Sequence, residues 1–457
     1  MMGWTFEIAR PLALGLAMSI AGLPASGQSL GEALSAAYET SGLLDQNRAL
    51  LRAADEDVAQ AVATLRPIIS YALDATWADT QLVDDDLTGG LSVSLSLLLY
   101  DFGRTRAQID AQKETVLATR QALRSIEQQV LLRGVAAFLN VRRQNAFVSL
   151  QNNNVRVIGE QLRAARDRFE VGEVTRTDVS IAEARLAAAR SGLAAAEGAL
   201  AQAREEYNAV TGGFPGALSP PGAAPKTAAS LNAARAVARE RHPDILQAQH
   251  QVSATELGVA AARGSLRPSL NATAQVGVDD DGDGTESVAI TLSGPIYQGG
   301  QLTSLIREAQ ANRDASRAGL YLAVQNVEQS VGNAWADVGV ARATRTASEE
   351  EVRASSLALR GAQEEFAVGS RTTLDVLDLE QEQLDAQTNL ISAEIDLILA
   401  QYQLLSAMGL LTAEHLGLGV ARYDPAAYYN VVKNAPTVFV SPQGERLDRV
   451  LKSLGKN

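Results

Sequence analysis

Two hydrophobic periodicities alternate along this chain of 457 residues. In four short segments the apolar side switches at every position. Ile69, Tyr71, Leu73, Ala75 and Trp77 interleave with Ser70, Ala72, Asp74 and Thr76. Leu91, Val93, Leu95, Leu97 and Leu99 do the same with Gly90, Ser92, Ser94 and Ser96. Farther on, Leu270, Ala272, Ala274, Val276 and Val278 oppose Asn271, Thr273 and Gln275, and Val288, Ile290, Leu292 and Ile296 oppose Ser287, Ala289, Thr291 and Ser293. A period of two with one small, polar face predicts β-strands. Segments of about ten residues with a polar inner side suit a membrane β-barrel. A soluble hairpin packed on helices would show the same alternation. The acidic tips expected at Asp84, Asp85 and Asp86 and at 279–283 favour extracellular loops. The second tip has the composition of a calcium loop, but its twelfth position, counted from Asp279, is Ile290 rather than a bidentate Glu.

Between and around the strands the pattern turns helical. No proline interrupts the chain from Gly103 to Phe169 or from Gly300 to Phe366. Each stretch of about 67 residues would measure about 100 Å at 1.5 Å per residue. A helix of about half that length is expected before each strand pair, at about 30–65 and 228–266. Both end at Arg-Pro (Arg66-Pro67 and Arg267-Pro268), where extended backbone has to follow. Another half-length helix follows each long one. Its seam recurs every seven residues: Val179, Leu186, Leu193, Leu200 and Tyr207, beside Ala182, Ala189, Ala196 and Ala203. The later copy has Val376, Gln383, Leu390, Leu397 and Leu404, beside Leu379, Ala386, Ala393, Ala400 and Ala407. Such a heptad describes coiled-coil packing with close helix approach at the alanines. A solid bundle would share this pattern; the attached strands, which need an annular partner, favour a hollow barrel of helices.

The plan is written twice. Phe169-Glu170-Val171-Gly172 with Asp178-Val179 returns as Phe366-Ala367-Val368-Gly369 with Asp375-Val376, at 366 − 169 = 197. Leu65-Arg66-Pro67 returns as Leu266-Arg267-Pro268 at 266 − 65 = 201, so the second hairpin is four residues shorter. The expected division is a first repeat over 28–212, with its hairpin at about 68–100 and its tip turn at about 170–178. A Gly/Pro-rich connector covers 213–227. The second repeat covers 228–409, with hairpin and tip at about 269–297 and 367–375. A C-terminal segment and tail complete 410–457.

Composition removes whole classes of function. The chain has no Cys, which excludes disulfides, thiol chemistry and a lipid-modified N-terminal cysteine. A net charge of −13 supplies no basic stripe for nucleic acid. His242, His250 and His415 lack metal-ligand spacing and no nucleophile stands beside a base, so neither enzyme nor cofactor is expected. Arg10 precedes an apolar run from Leu12 to Leu23 that ends at Pro24 and the small residues Ala25-Ser26-Gly27. This is the form of an export signal over 1–27, and the run is short for the ~20 residues of a spanning helix. Membrane attachment then falls to the strands. Four strands cannot close a barrel, and lipid tolerates no open sheet edge. Two copies would give a barrel filled by its own side chains; three would give twelve strands and a lumen.

Leu99-Tyr100-Asp101-Phe102-Gly103-Arg104, Pro295-Ile296-Tyr297-Gln298-Gly299-Gly300, the doubled Phe-x-Val-Gly-x5-Asp-Val and Thr372-Thr373-Leu374-Asp375-Val376-Leu377-Asp378 occur here in order. Over essentially the whole mature chain they resemble the TolC family of trimeric outer-membrane efflux and secretion ducts. The resemblance implies an α+β membrane protein, mainly α. Long antiparallel helices of a homotrimer would form an α-barrel, and four strands per protomer would complete a twelve-stranded β-barrel in outer-membrane lipid. It implies a passive conduit for proteins (type I secretion) or small toxic molecules, projecting into the periplasm of a Gram-negative cell. It also implies tips, at Val171, Gly172, Val368 and Gly369, that meet a periplasmic membrane-fusion adaptor, and through it an inner-membrane ABC or RND transporter. By the same resemblance Asp375 and Asp378 ring a constricted entrance, and Arg371 links to Thr177 and Asp178 to hold it shut. Many members carry Tyr where this chain has Phe366, so a hydroxyl link there is absent or replaced. The bland alternatives are a helix C-cap for the glycines and an N-terminal cap for Asp178 and Asp375. The missing anchor cysteine and the extended segment from Tyr423 lean toward the unlipidated, secreting branch. A soluble periplasmic coiled-coil scaffold, or the adaptor itself, is the rival function.

Overall fold

The computed structural model describes residues 27–80, 83–222, 224–225 and 227–435. The expected signal segment, Gly27 aside, and the tail beyond 435 lie outside the described residues.

Each copy runs helix, helix, strand, strand, long helix, half-length helix. The first copy contains α1 (Leu30–Thr40), α2 (Gly42–Ala63), β1 (Ile68–Thr80), β2 (Val83–Tyr100), α3 (Arg104–Glu170) and α4 (Arg176–Thr211). The second contains α5 (Leu231–Arg241), α6 (Pro243–Gly264), β3 (Ser269–Asp279), β4 (Gly284–Ser293), α7 (Gln301–Ala367) and α8 (Thr373–Ala407). A short α9 (Ala427–Val432) follows. Both long helices have 67 residues, and both begin at a glycine in the left-handed region, Gly103 and Gly300.

The helix expected before each hairpin is in fact two. Ser41 breaks the first and caps α2 by accepting the amide of Leu44 at 3.3 Å. His242 breaks the second, where Pro243 at the first helical position holds the preceding residue extended.

The four strands form one antiparallel sheet in the order β1-β2-β3-β4, with β2 and β3 joining the copies through pairs such as Val93 with Val276. β2 is 18 residues long rather than about ten, and Asp84, Asp85 and Asp86 fall within it instead of forming the tip. Ile296 lies beyond the end of β4. The acidic tip over 279–283 is a tight turn: Asp283 donates its amide to Asp279 Oδ1 at 2.7 Å, and Gly282 takes a positive φ. β1 and β4 are edges with large apolar side chains uncovered, among them Tyr71, Leu73, Val288 and Ile290.

The helices carry the core. α3 packs along both α4 and α6, and α7 packs along α8 and α6. The largest cluster, with Leu34, Leu131, Phe138, Tyr207 and Leu405, ties α1, α3, α4 and α8 together. Of the predicted seam, Val179, Ala182, Ala189, Leu200, Ala203 and Tyr207 are buried, as are Val376, Ala386, Ala393, Ala400, Leu404 and Ala407. Leu384 is buried beside the expected Gln383. No helix among the described residues is long and apolar enough to cross a membrane.

Candidate functional site

Far along the helices from the sheet, each copy turns once. The two turns have the same backbone chemistry. α3 ends at Val171, the next residue Gly172 has φ 82°, and Glu173 donates its amide to Arg168 O at 2.9 Å. α7 ends at Val368, Gly369 has φ 79°, and Ser370 donates to Glu365 O at 3.0 Å. Both are helix ends closed by a left-handed glycine, a conformation that costs a side-chain-bearing residue about 1–2 kcal/mol. The glycine thus has a structural task at each turn. It leaves Val171 and Val368 72% and 81% exposed.

The next helices start from identical capping boxes. Asp178 Oδ2 accepts from the amide and hydroxyl of Thr175, and the Thr175 hydroxyl accepts from the Asp178 amide. Thr372 and Asp375 repeat this with bonds of 2.9, 2.7 and 3.3 Å. These bonds hold both carboxyls below the usual carboxylate range. At Asp178 the Thr175 hydroxyl contributes most; at Asp375 it is the Thr372 amide. Both bonds at Asp375 fall on Oδ2, so its other oxygen is uncommitted among the described residues.

The expected links are arranged differently within one protomer. Arg371 is exposed and pairs with Glu365 of its own turn at 2.6 Å. Thr177 is exposed, and no hydrogen bond or ion pair among the described residues joins Arg371 to Thr177 or Asp178. Asp378 is bound by Arg185 of α4 at 2.5 Å, and the Arg168 guanidinium sits 4.3 Å from the ring centre of Phe366. Sequence reasoning passed over Arg185 and Arg168. A signal was present: their second-copy counterparts, Glu382 (382 − 185 = 197) and Glu365 (365 − 168 = 197), reverse the charge. α8 as a whole carries Asp375, Asp378, Glu380, Glu382, Asp385, Glu394 and Asp396 and no Lys or Arg. Among the described residues no group of His, Cys, Asp and Glu has the geometry of a metal site.

Residues 33–213 and 235–410, one stretch in each copy, match the family model described as outer membrane efflux protein. The chain belongs to the outer membrane efflux protein family. It is 36% identical over 432 residues to the outer membrane efflux protein BepC of Brucella suis, covering 93% of this chain and 95% of that one. It is 24% identical over 431 residues to the outer membrane protein TolC of Escherichia coli, covering 89% and 87%. Its fold matches the crystal structure of the Campylobacter jejuni CmeC outer membrane channel, with a TM-score of 0.75, 15% identity and 91% of each chain covered. This family member is therefore an outer-membrane export channel.

Proposed function

We propose that three copies of the chain close one duct: a twelve-stranded barrel continued by a helical tunnel, with its tips on a periplasmic adaptor and, through it, an ABC or RND transporter. The observation that carries this reading is the four-stranded sheet whose outer edges, on β1 and β4, are open and carry uncovered apolar side chains. In lipid every strand edge has to find a partner. Joining β4 of one copy to β1 of the next satisfies both edges, and three copies are the smallest closed set that leaves a lumen. α3 and α7 would then run about 100 Å from the barrel toward the inner membrane. Val171-Gly172 and Val368-Gly369 form the surface offered to the adaptor.

The entrance is assigned to Asp375 and Asp378. Three copies bring six carboxylates to one opening, where they repel one another and attract cations. Arg185 modifies this picture: by pairing with Asp378 in each copy, it halves the uncompensated charge and ties α4 to α8. Extraction of the cell envelope separates the duct from a soluble scaffold or adaptor. The duct stays with outer-membrane lipid until detergent is added; recovery in the soluble periplasm would refute it.

A further inference from the structure

One carboxylate among the described residues has no place in the duct reading. Asp55 on α2 is 0% exposed, and neither of its oxygens has a hydrogen-bond partner. Native proteins rarely leave a buried carboxylate in that condition. Arg120 on α3 is the cation beside it, 4.0 Å away.

The second copy carries the same pair in a different setting. Asp55 and Arg120 correspond to Glu256 (256 − 55 = 201) and Arg317 (317 − 120 = 197), which meet at 2.6 Å and are both about half exposed. The first copy keeps the pair with an acid one methylene shorter and under cover. The cover is the segment after the second copy. Tyr423 and Tyr429 pack with Leu51, Val58 and Val116 around the site. The Tyr429 ring faces the Arg120 guanidinium at 5.2 Å, and the Tyr423 ring faces Arg48 at 5.4 Å. Farther along, Tyr428 donates to Glu56, and Arg66 donates to the carbonyls of Asn434 and Ala435.

We propose that Asp55 and Arg120 form a proton-operated clasp, which holds segment 423–435 against α2 and α3 while Asp55 is protonated and loosens when it ionises. Protonated, Asp55 is a neutral group beside Leu51 and Val58, and Arg120 stays with the Tyr429 ring. Ionised, it needs Arg120 or water. The first draws the guanidinium off the ring, and the second requires the segment to lift. Burial pushes the Asp55 carboxyl up from 3.8 to about 6; Arg120 opposes the rise and Glu56 adds to it. The other charged or titratable groups facing the site are Arg48 and Arg52 on α2 and the phenols of Tyr423 and Tyr429. With the pKa raised in the docked state, docking is strongest in acid and weakens as pH rises through about 6.

Hydrogen–deuterium exchange of the full-length protein in detergent, normalised at each pH to an unstructured peptide of the same sequence, reads the segment directly. Exchange over 423–435 is expected to be slower at pH 5 than at pH 7.5 by roughly tenfold. The peptide holding Glu256 shows no such step. Asp55→Asn cannot ionise and should protect the segment at both pH values. Asp55→Glu, with the reach of Glu256, should bond Arg120 at both and flatten the step as well. Equal exchange at the two pH values in the unmodified protein overturns the clasp, as does a step that survives in either variant. The comparison within the unmodified protein stands even where a variant fails to fold.

Discussion

α4 and α8 occupy equivalent places in the two copies, begin with the same Thr-Asp capping box and run 36 and 35 residues. Along its length α4 mixes acids with Arg176, Arg185, Arg190 and Arg204, whereas α8 has acids alone. The difference separates what duplication holds constant from what it releases. Helix lengths, caps and left-handed glycines are set by backbone geometry, and both copies keep them. Side chains that meet the other copy are free to specialise, and at three contacts the roles divide the same way, although Arg267 of the second copy donates to the Phe102 carbonyl of the first. Arg143 with Asp396, Arg185 with Asp378 and Arg168 with Phe366 each take the cation from the first copy and the acceptor from the second. The protomer is thereby stitched into one wedge instead of two separable hairpins.

The sharpest way to break this comparison is at the glycines that end α4 and α8. Gly212 and Gly409 share a φ of 75°. A Cβ at Gly409 would lie 2.7 Å from His242 Cα, which is backbone, whereas at Gly212 it would meet the Thr40 methyl at 3.0 Å. Gly409→Ala should cost about 3–4 kcal/mol and Gly212→Ala about 1–2 kcal/mol, since only a side chain can turn aside. Thermal unfolding in detergent measures both, and equal losses would contradict the reading.

A smaller effect is expected where strands become long helices. Asp101 is buried and accepts from the Thr105 amide (2.7 Å), the Thr105 hydroxyl (2.5 Å) and the Gly103 amide (3.2 Å). Its counterpart Gln298 (298 − 101 = 197) is exposed. Asp101→Ala should cost about 2–3 kcal/mol and Gln298→Ala under about 0.5 kcal/mol, read from denaturant midpoints.

At the tips the copies should behave alike. The pKa values of Asp178 and Asp375 are lowered, so their caps contribute fully above the ordinary value of 3.8 and are lost as pH falls through the lower folded value. Hydrogen exchange at both tips should accelerate together in strong acid, and Thr175→Ala or Thr372→Ala should remove that response in its own copy only. A small effect on stability is also expected from the exposed links: Arg185→Ala should cost less than about 1 kcal/mol. Single-channel conductance in planar bilayers should nevertheless rise for Arg185→Ala and Arg371→Glu and stay unchanged for Glu382→Ala. Unaltered conductance in the first two would remove these arginines from the entrance.

Much of this architecture was legible because it is periodic. Proline-free runs, strict alternation and a fixed offset survive averaging along the chain, and they predicted two 67-residue helices and four strands. The breaks at Ser41 and His242 were harder to read. Each interrupts an apolar stripe without ending it, although Pro243 is a physical marker of a helix start. The tip glycines and the threonine caps are local signals and could be read directly. Arg185, Arg168 and Asp55 act through residues far away along the chain, so no short window of sequence contains their partners. Only comparison of the two copies, position by position, exposes the charge reversals and the shortened acid.

The claim on which everything else rests is that three copies close the barrel. Native mass spectrometry of the protein released from outer membranes in mild detergent counts them directly. Particles of three chains are predicted. Particles of two, whose eight strands leave no lumen, or single chains released without detergent, would contradict the account.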